Sequence, residues 1–315
     1  GGSFRAYNSE YGIPAPHFHA EDEHDEDEHA GDEHSEEEEF AYIDMEQRSW
    51  DMKGGLEKPV RGINRMTLRL GYNDYTHREI ELAGVHEDEH ADDEHSDEEP
   101  HAHEEGTLFD VQTWQSRLSF ETAPLWGWEG AFGLQLEREQ FEAEGVEAFV
   151  PNNETRSTGV FVLQERQWDA FTLSLGARVE RTRVNLRDHG QEDDHDDHGH
   201  EDEDEHNAFA DVDSRTFRNV SASIGGIYEL NDTWQASVNF SRVQRAPSQT
   251  ELFADGPHLA TFTYEEGNAG LRTETAKAWD LTLHRHADFF DFEISVFRKD
   301  VADFIYLATT DEVAL

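Results

Sequence analysis

Three stretches of this chain interleave imidazole with carboxylate. Residues 14–39 hold His17, His19, His24, His29 and His34 among thirteen acids. Residues 82–106 hold His86, His90, His95, His101 and His103 among eleven, and residues 188–213 hold His189, His195, His198, His200 and His206 among thirteen. Fifteen of the nineteen histidines and 37 of the 72 acidic residues therefore fall in three segments without a single Lys or Arg. Carboxylates alone attract hard cations such as calcium. Neutral imidazole adds a preference for zinc, copper, nickel or cobalt, and spacings of two to five residues let one flexible segment offer two or three ligands. Each capture orders a loose chain, so the expected sites are weak, numerous and exchangeable. Such sites suit collection of divalent metal better than storage. A plain acidic loop that merely solvates the protein has a related composition. It rarely carries five histidines, and here the pattern recurs three times. The match of His86-Glu87-Asp88-Glu89-His90 to the H-E-x-x-H zinc-protease pattern is set aside: that chemistry needs a stable helix with an apolar face, and crowded acids here oppose one. No enzyme is expected.

The other four histidines differ. His258 follows Gly256-Pro257 between apolar residues, where a hydrogen-bonding role in a packed loop is open to it. His284 and His286 stand beside a short turn, on the strand face opposite Trp279, Leu281 and Leu283. His77 ends a segment rich in Arg and Tyr and is assigned no role.

The elements that must position these groups read as strands. Phe171, Leu173, Leu175, Ala177 and Val179 alternate with Thr172, Ser174, Gly176, Arg178 and Glu180. Similar alternation places strands near 2–13, 40–52, 60–80, 107–122, 128–141, 154–166, 170–187, 214–230, 233–245, 274–286 and 289–307. Short connectors at 53–59, 123–127, 167–169, 231–232 and 287–288 alternate with long ones at 14–39, 81–106, 142–153, 188–213 and 246–273. All long loops then leave one end of an antiparallel sheet and all turns the other, as in a membrane barrel. Trp50, Trp126, Trp128, Trp168, Trp234 and Phe289 gather beside the turns, where an interfacial girdle would place them. The expected fold is all-β: a transmembrane, antiparallel, up-and-down β-barrel built from about eleven strands. A soluble sandwich shares the alternation but not the one-sided loops.

Composition agrees. With 25 basic residues against 72 acidic ones and a net charge of −47, a nucleic-acid partner is excluded. The three histidine–acid stretches leave only about −10 of that charge to everything else. There is no cysteine, hence no disulfide or thiolate metal site. No run of about 18 apolar residues could form a spanning helix, which says nothing against spanning strands.

A long connector carries a more specific signal. Arg245-Ala246-Pro247-Ser248, Glu251-Leu252-Phe253, Glu265-Glu266-Gly267-Asn268 and Leu271-Arg272-Thr273-Glu274 follow in order within thirty residues. This segment resembles the late-barrel signature of TonB-dependent outer-membrane receptors, with Glu266 as an inserted acid. The insert Gly256-Pro257-His258-Leu259-Ala260-Thr261, with Tyr11-Gly12-Ile13-Pro14, is similar to the zinc-uptake branch of that family. The resemblance implies a twenty-two-stranded barrel embedded in outer-membrane lipid, of which residues 1–315 would be about half, with the plug domain and remaining strands absent. It also implies import of divalent metal powered by the TonB system through that plug, and a place for His258 in an ordered metal site. A receptor for a siderophore, or a surface metal-sequestering protein without transport, stays open beside zinc import.

Overall fold

The computed structural model describes residues 1–13, 40–82, 106–145, 148–187, 212, 214–258, 263–286 and 289–310. Thirteen strands and one short helix follow in order: β1 (Gly2–Ile13), β2 (Phe40–Glu57), β3 (Ile63–Leu82), β4 (Gly106–Thr122), β5 (Trp128–Glu144), β6 (Asn153–Trp168), β7 (Phe171–Leu186), β8 (Ser214–Asn231), β9 (Trp234–Arg245), α1 (Gln249–Phe253), β10 (Asp255–His258), β11 (Thr263–Glu266), β12 (Glu274–Arg285) and β13 (Phe292–Ala302). Eleven of the strands form one antiparallel sheet in chain order, β1 through β9 followed by β12 and β13, while β10 and β11 pair separately as a hairpin. The sheet is not closed on itself; β1 and β13 form its two edges. No helix among the described residues is long and apolar enough to cross a membrane. The expected eleven-stranded, up-and-down architecture is what the chain adopts.

Register keeps the two faces separate across the sheet, because directly paired residues point the same way. On the outer face Phe120 pairs with Phe132, Phe132 with Val162, Val162 with Ala177 and Ala177 with Ala222. Phe120 and Phe132 stack with centroids 5.1 Å apart. Two aromatic borders bound this apolar band. Near the turns stand Trp128, Trp168, Phe171 and Trp234; Trp168 meets Trp128 edge-on at 5.9 Å and stacks on Phe171. Toward the loops a single row runs Phe4, Trp50, Tyr72, Trp114 across β1 to β4, then continues as Arg138, Arg156 and Arg183. From Trp128 to Arg138 is ten residues of β5, or about 33 Å of strand and about 25 Å of height at a barrel tilt of about 40°. That height matches the apolar belt of an outer-membrane barrel.

Two sequence expectations change. β2 runs to Glu57, past the point where Lys53-Gly54-Gly55 reads as a turn, since Gly55 pairs with Thr67 and Leu56 with Met66 in an unbroken ladder. As a result Trp50 lies mid-strand, in the loop-side aromatic row, and not beside a turn. The connector 246–273 is not simply a loop: it folds into α1 and the β10–β11 hairpin.

Candidate functional site

Barrel walls have no core of their own, and here the buried apolar cluster forms where the 246–273 connector returns to the sheet. Leu252 and Phe253 of α1 are 0% exposed and pack on Val184 of β7 and Phe217 of β8. Both partners lie on the face shared by Thr182, Arg178 and Ser221, which is the polar face, so the connector folds over the inner side of the sheet. Gln249 Nε2 reaches across to Glu139 Oε1 of β5 at 3.2 Å, and Arg215 donates to the Leu271 carbonyl at 3.0 Å.

The motif blocks meet in space. Ser248 caps α1 through the Glu251 amide at 3.2 Å, and Glu251 reaches back to the Ser248 amide at 2.8 Å, a reciprocal capping box. Arg245 clasps both Glu251 oxygens at 2.9 and 3.1 Å, and its third contact is Glu274 at 3.5 Å. The Gly267 amide bonds the Ala254 carbonyl at 2.7 Å, and the Asn268 amide the Glu251 carbonyl at 2.9 Å. A side chain at Gly267 would press within 2.7 Å of the Phe253 and Ala254 backbone nitrogens, so only glycine fits. Burial acts to raise the Glu251 carboxyl, but the Arg245 guanidinium and the Ser248 amide outweigh it and hold it below the usual carboxylate range. On the hairpin, Tyr264 donates to Asp255 at 2.8 Å; that bond, with some burial, pushes its phenol up.

His258 closes β10 and pairs with Thr263 at the far end of this hairpin. The structure thus carries it on a two-stranded arm rooted in α1, and the placement of its side chain is outside the described residues. So are all fifteen loop histidines: His17, His19, His24, His29, His34, His86, His90, His95, His101, His103, His189, His195, His198, His200 and His206. Of the rest, His284 lies on the inner face opposite Glu293, as its alternation implies, and His286 binds Asp291 at 2.8 Å beside the turn. Around the middle of β7 the inner face is polar and ionic. Arg178 bonds Glu180 and Gln135 around a recess of about 140 Å³ shared with Glu137 and Ser157. Among the described residues no three His, Cys, Asp or Glu side chains converge as a metal cage.

Residues 19–314 match the family model "TonB dependent receptor-like, beta-barrel". The chain belongs to the TonB-dependent receptor family. Receptors of this family reside in the Gram-negative outer membrane and are transport proteins, not enzymes, so the eleven-stranded sheet of this receptor is a membrane wall. Solved structures agree on the fold. The copper transporter OprC superposes with a TM-score of 0.61 at 12% identity, covering 84% of this chain and 43% of that one. The Serratia marcescens hemophore receptor HasR, solved with its hemophore and heme, gives 0.58 at 15%, covering 83% and 40%. The FrpB iron transporter from Neisseria meningitidis gives 0.52 at 11%, covering 83% and 36%. The receptor chain thus spans less than half the length of these structures. The signal that found the family was the ordered motif blocks, and their contacts around α1 are the physical reason they occur together. Sequence reading missed the inner-face bond of Gln249 to Glu139, because a contact spanning 110 residues leaves no local trace.

Proposed function

We propose that this receptor gathers a divalent transition metal, zinc, at the cell surface and passes it inward through the barrel. The observation that carries this reading is the composition of the three stretches: five histidines each, eleven to thirteen acids, no cation of their own. They fall in connectors at the end of the sheet away from the tryptophan-bordered turns, which is the outer side of such a barrel. Carboxylates raise the local concentration of cations by long-range attraction, and imidazoles select the borderline-soft ones among them. The inward step draws on the TonB system acting through a plug domain, and His258, at the end of the β10–β11 hairpin, belongs to an ordered metal site distinct from the three stretches. A copper transporter, a heme receptor and an iron transporter share the fold, which keeps capture of a metal complex as the competing reading.

Zinc titration of the intact receptor, without chelator and with calcium in large excess, tests the proposal. Retention of several zinc ions against calcium is the expected result. Complete displacement by calcium means that carboxylates, not histidines, are the ligands. Failure to bind free zinc while a chelated metal binds favours the competing reading. Replacement of His258 by Ala removes one tight event and leaves the weak ones.

A further inference from the structure

His77, which the sequence alone leaves without a role, stands at a distinctive place. Its cross-strand partners are Met45 of β2 and Phe109 of β4. Met45 lies five residues into β2, just after the 14–39 stretch; His77 lies five residues before the end of β3, and Phe109 three residues into β4, on either side of the 82–106 stretch. The residue therefore sits on the inner face at the shared root of two histidine–acid stretches, about 17 Å of strand below the points where they leave the sheet.

The imidazole is held rather than free. Phe109 stacks on it at 4.6 Å with planes 11° apart, and Tyr75 flanks it at 5.3 Å. Its side chain is 19% exposed and that of its neighbour Glu79 16%. His77 Nε2 and Glu79 Oε1 are 3.4 Å apart, longer than a good N–H···O bond of about 2.7–3.2 Å. That separation is the edge of a tetrahedron around zinc: bonds of about 2.0–2.2 Å put neighbouring ligand atoms about 3.3–3.5 Å apart. The other nitrogen, Nδ1, is enclosed and finds no hydrogen-bond partner among the described residues. A neutral ring has one N–H and one lone pair, and a charged ring has two N–H groups. In every state the described residues leave Nδ1 without a hydrogen-bond partner, whatever species Nε2 meets. With the proton on Nδ1, the Nε2 lone pair faces a carboxylate, an arrangement that a cation between them, or a water donating to both, makes favourable.

We propose that His77 and Glu79 form a divalent transition-metal site on the inner wall, a first ordered stop for ions released by the two stretches above it. The site supplies one imidazole nitrogen and one carboxylate oxygen. No third His, Cys, Asp or Glu joins them among the described residues, so water completes the shell and the ion stays exchangeable. As a relay stop it rests on the metal-collecting reading above; as a binding site it stands on its own geometry.

Metal-catalysed oxidation of the intact receptor tests it residue by residue. Cu²⁺ with ascorbate and peroxide converts ligating histidines to 2-oxohistidine, which peptide mass spectrometry locates. The expected result is modification of His77, suppressed by excess Zn²⁺ and not by Ca²⁺. Glu79→Gln, checked for folding by heat-modifiable gel mobility, lowers modification at equal copper by about tenfold or more, the scale on which even outer-shell partners affect metal affinity. An unmodified His77, or one modified equally in Glu79→Gln, overturns the site and leaves a water-bridged His–Glu pair only. The loop histidines are read in the same spectra. If they are modified and His77 is not, the site fails while the collecting role stands; if His77 alone is modified, the collecting role fails and the site stands.

Discussion

At the scale of single residues, Glu251 ties the 246–273 connector together. It closes the capping box, holds Arg245 and offers its carbonyl to Asn268. Its carboxyl is lowered in the folded state, so the unfolded connector binds the extra proton as the medium acidifies. The stabilisation is thus fully present above the unfolded value of about 4.3 and is lost as the pH falls through the lowered folded one. We expect Glu251→Gln to reduce hydrogen-exchange protection of the Phe253 and Ala254 amides at neutral pH. The gap from the native chain, compared at matched pH, then closes below about pH 4. A gap that stays constant into acid would mean that charge at Glu251 contributes nothing. Ser248→Ala, which removes one cap bond, costs the connector about 1 kcal/mol.

At the scale of elements, each strand is two surfaces. The outer row of β5, with Phe132, Leu134 and Leu136, is exposed in the isolated chain and reads as apolar waste until lipid covers it. Leu134 sits near the middle of the band between Trp128 and Arg138. Leu134→Arg is expected to destabilise insertion into lipid vesicles by about 2–4 kcal/mol. Ser119→Lys, on the inner face of β4, stays within about 0.5 kcal/mol. Folding yields read by heat-modifiable mobility check both, and equal penalties would reverse the assignment of faces. The sequence made these faces legible, since an alternation of period two survives any tertiary arrangement. It misjudged where β2 ends because Gly54 and Gly55 look like a turn, whereas ladder pairing with β3 carries the strand through them.

At the scale of the whole molecule, sidedness follows from topology. An up-and-down sheet has turns at one end and long connectors at the other, and the membrane converts those ends into periplasm and outside. The chain has no cysteine, so single-cysteine reporters give clean answers. Ser35→Cys, in the first histidine–acid stretch, should react with a membrane-impermeant maleimide on intact cells. Asp232→Cys, in the β8–β9 turn, should react only after the outer membrane is opened. Labelling of both on intact cells would be incompatible with this orientation.

The sequence by itself determined the eleven strands, their antiparallel order, the alternation of short and long connectors, and the metal-seeking composition of three of them. Each of these is local: period, turn chemistry and composition need no distant partner to be expressed. Only the tertiary structure decided what the 246–273 connector does, because its anchors are Val184, Phe217 and Glu139, residues remote along the chain. It alone gave His77 a role. Register across β2, β3 and β4 sets Met45, His77 and Phe109 side by side, and the stacked ring then faces Glu79 at a ligand-to-ligand distance. No spacing within β3 could show this, since i and i+2 on a strand share a face whether or not a neighbour fixes the ring.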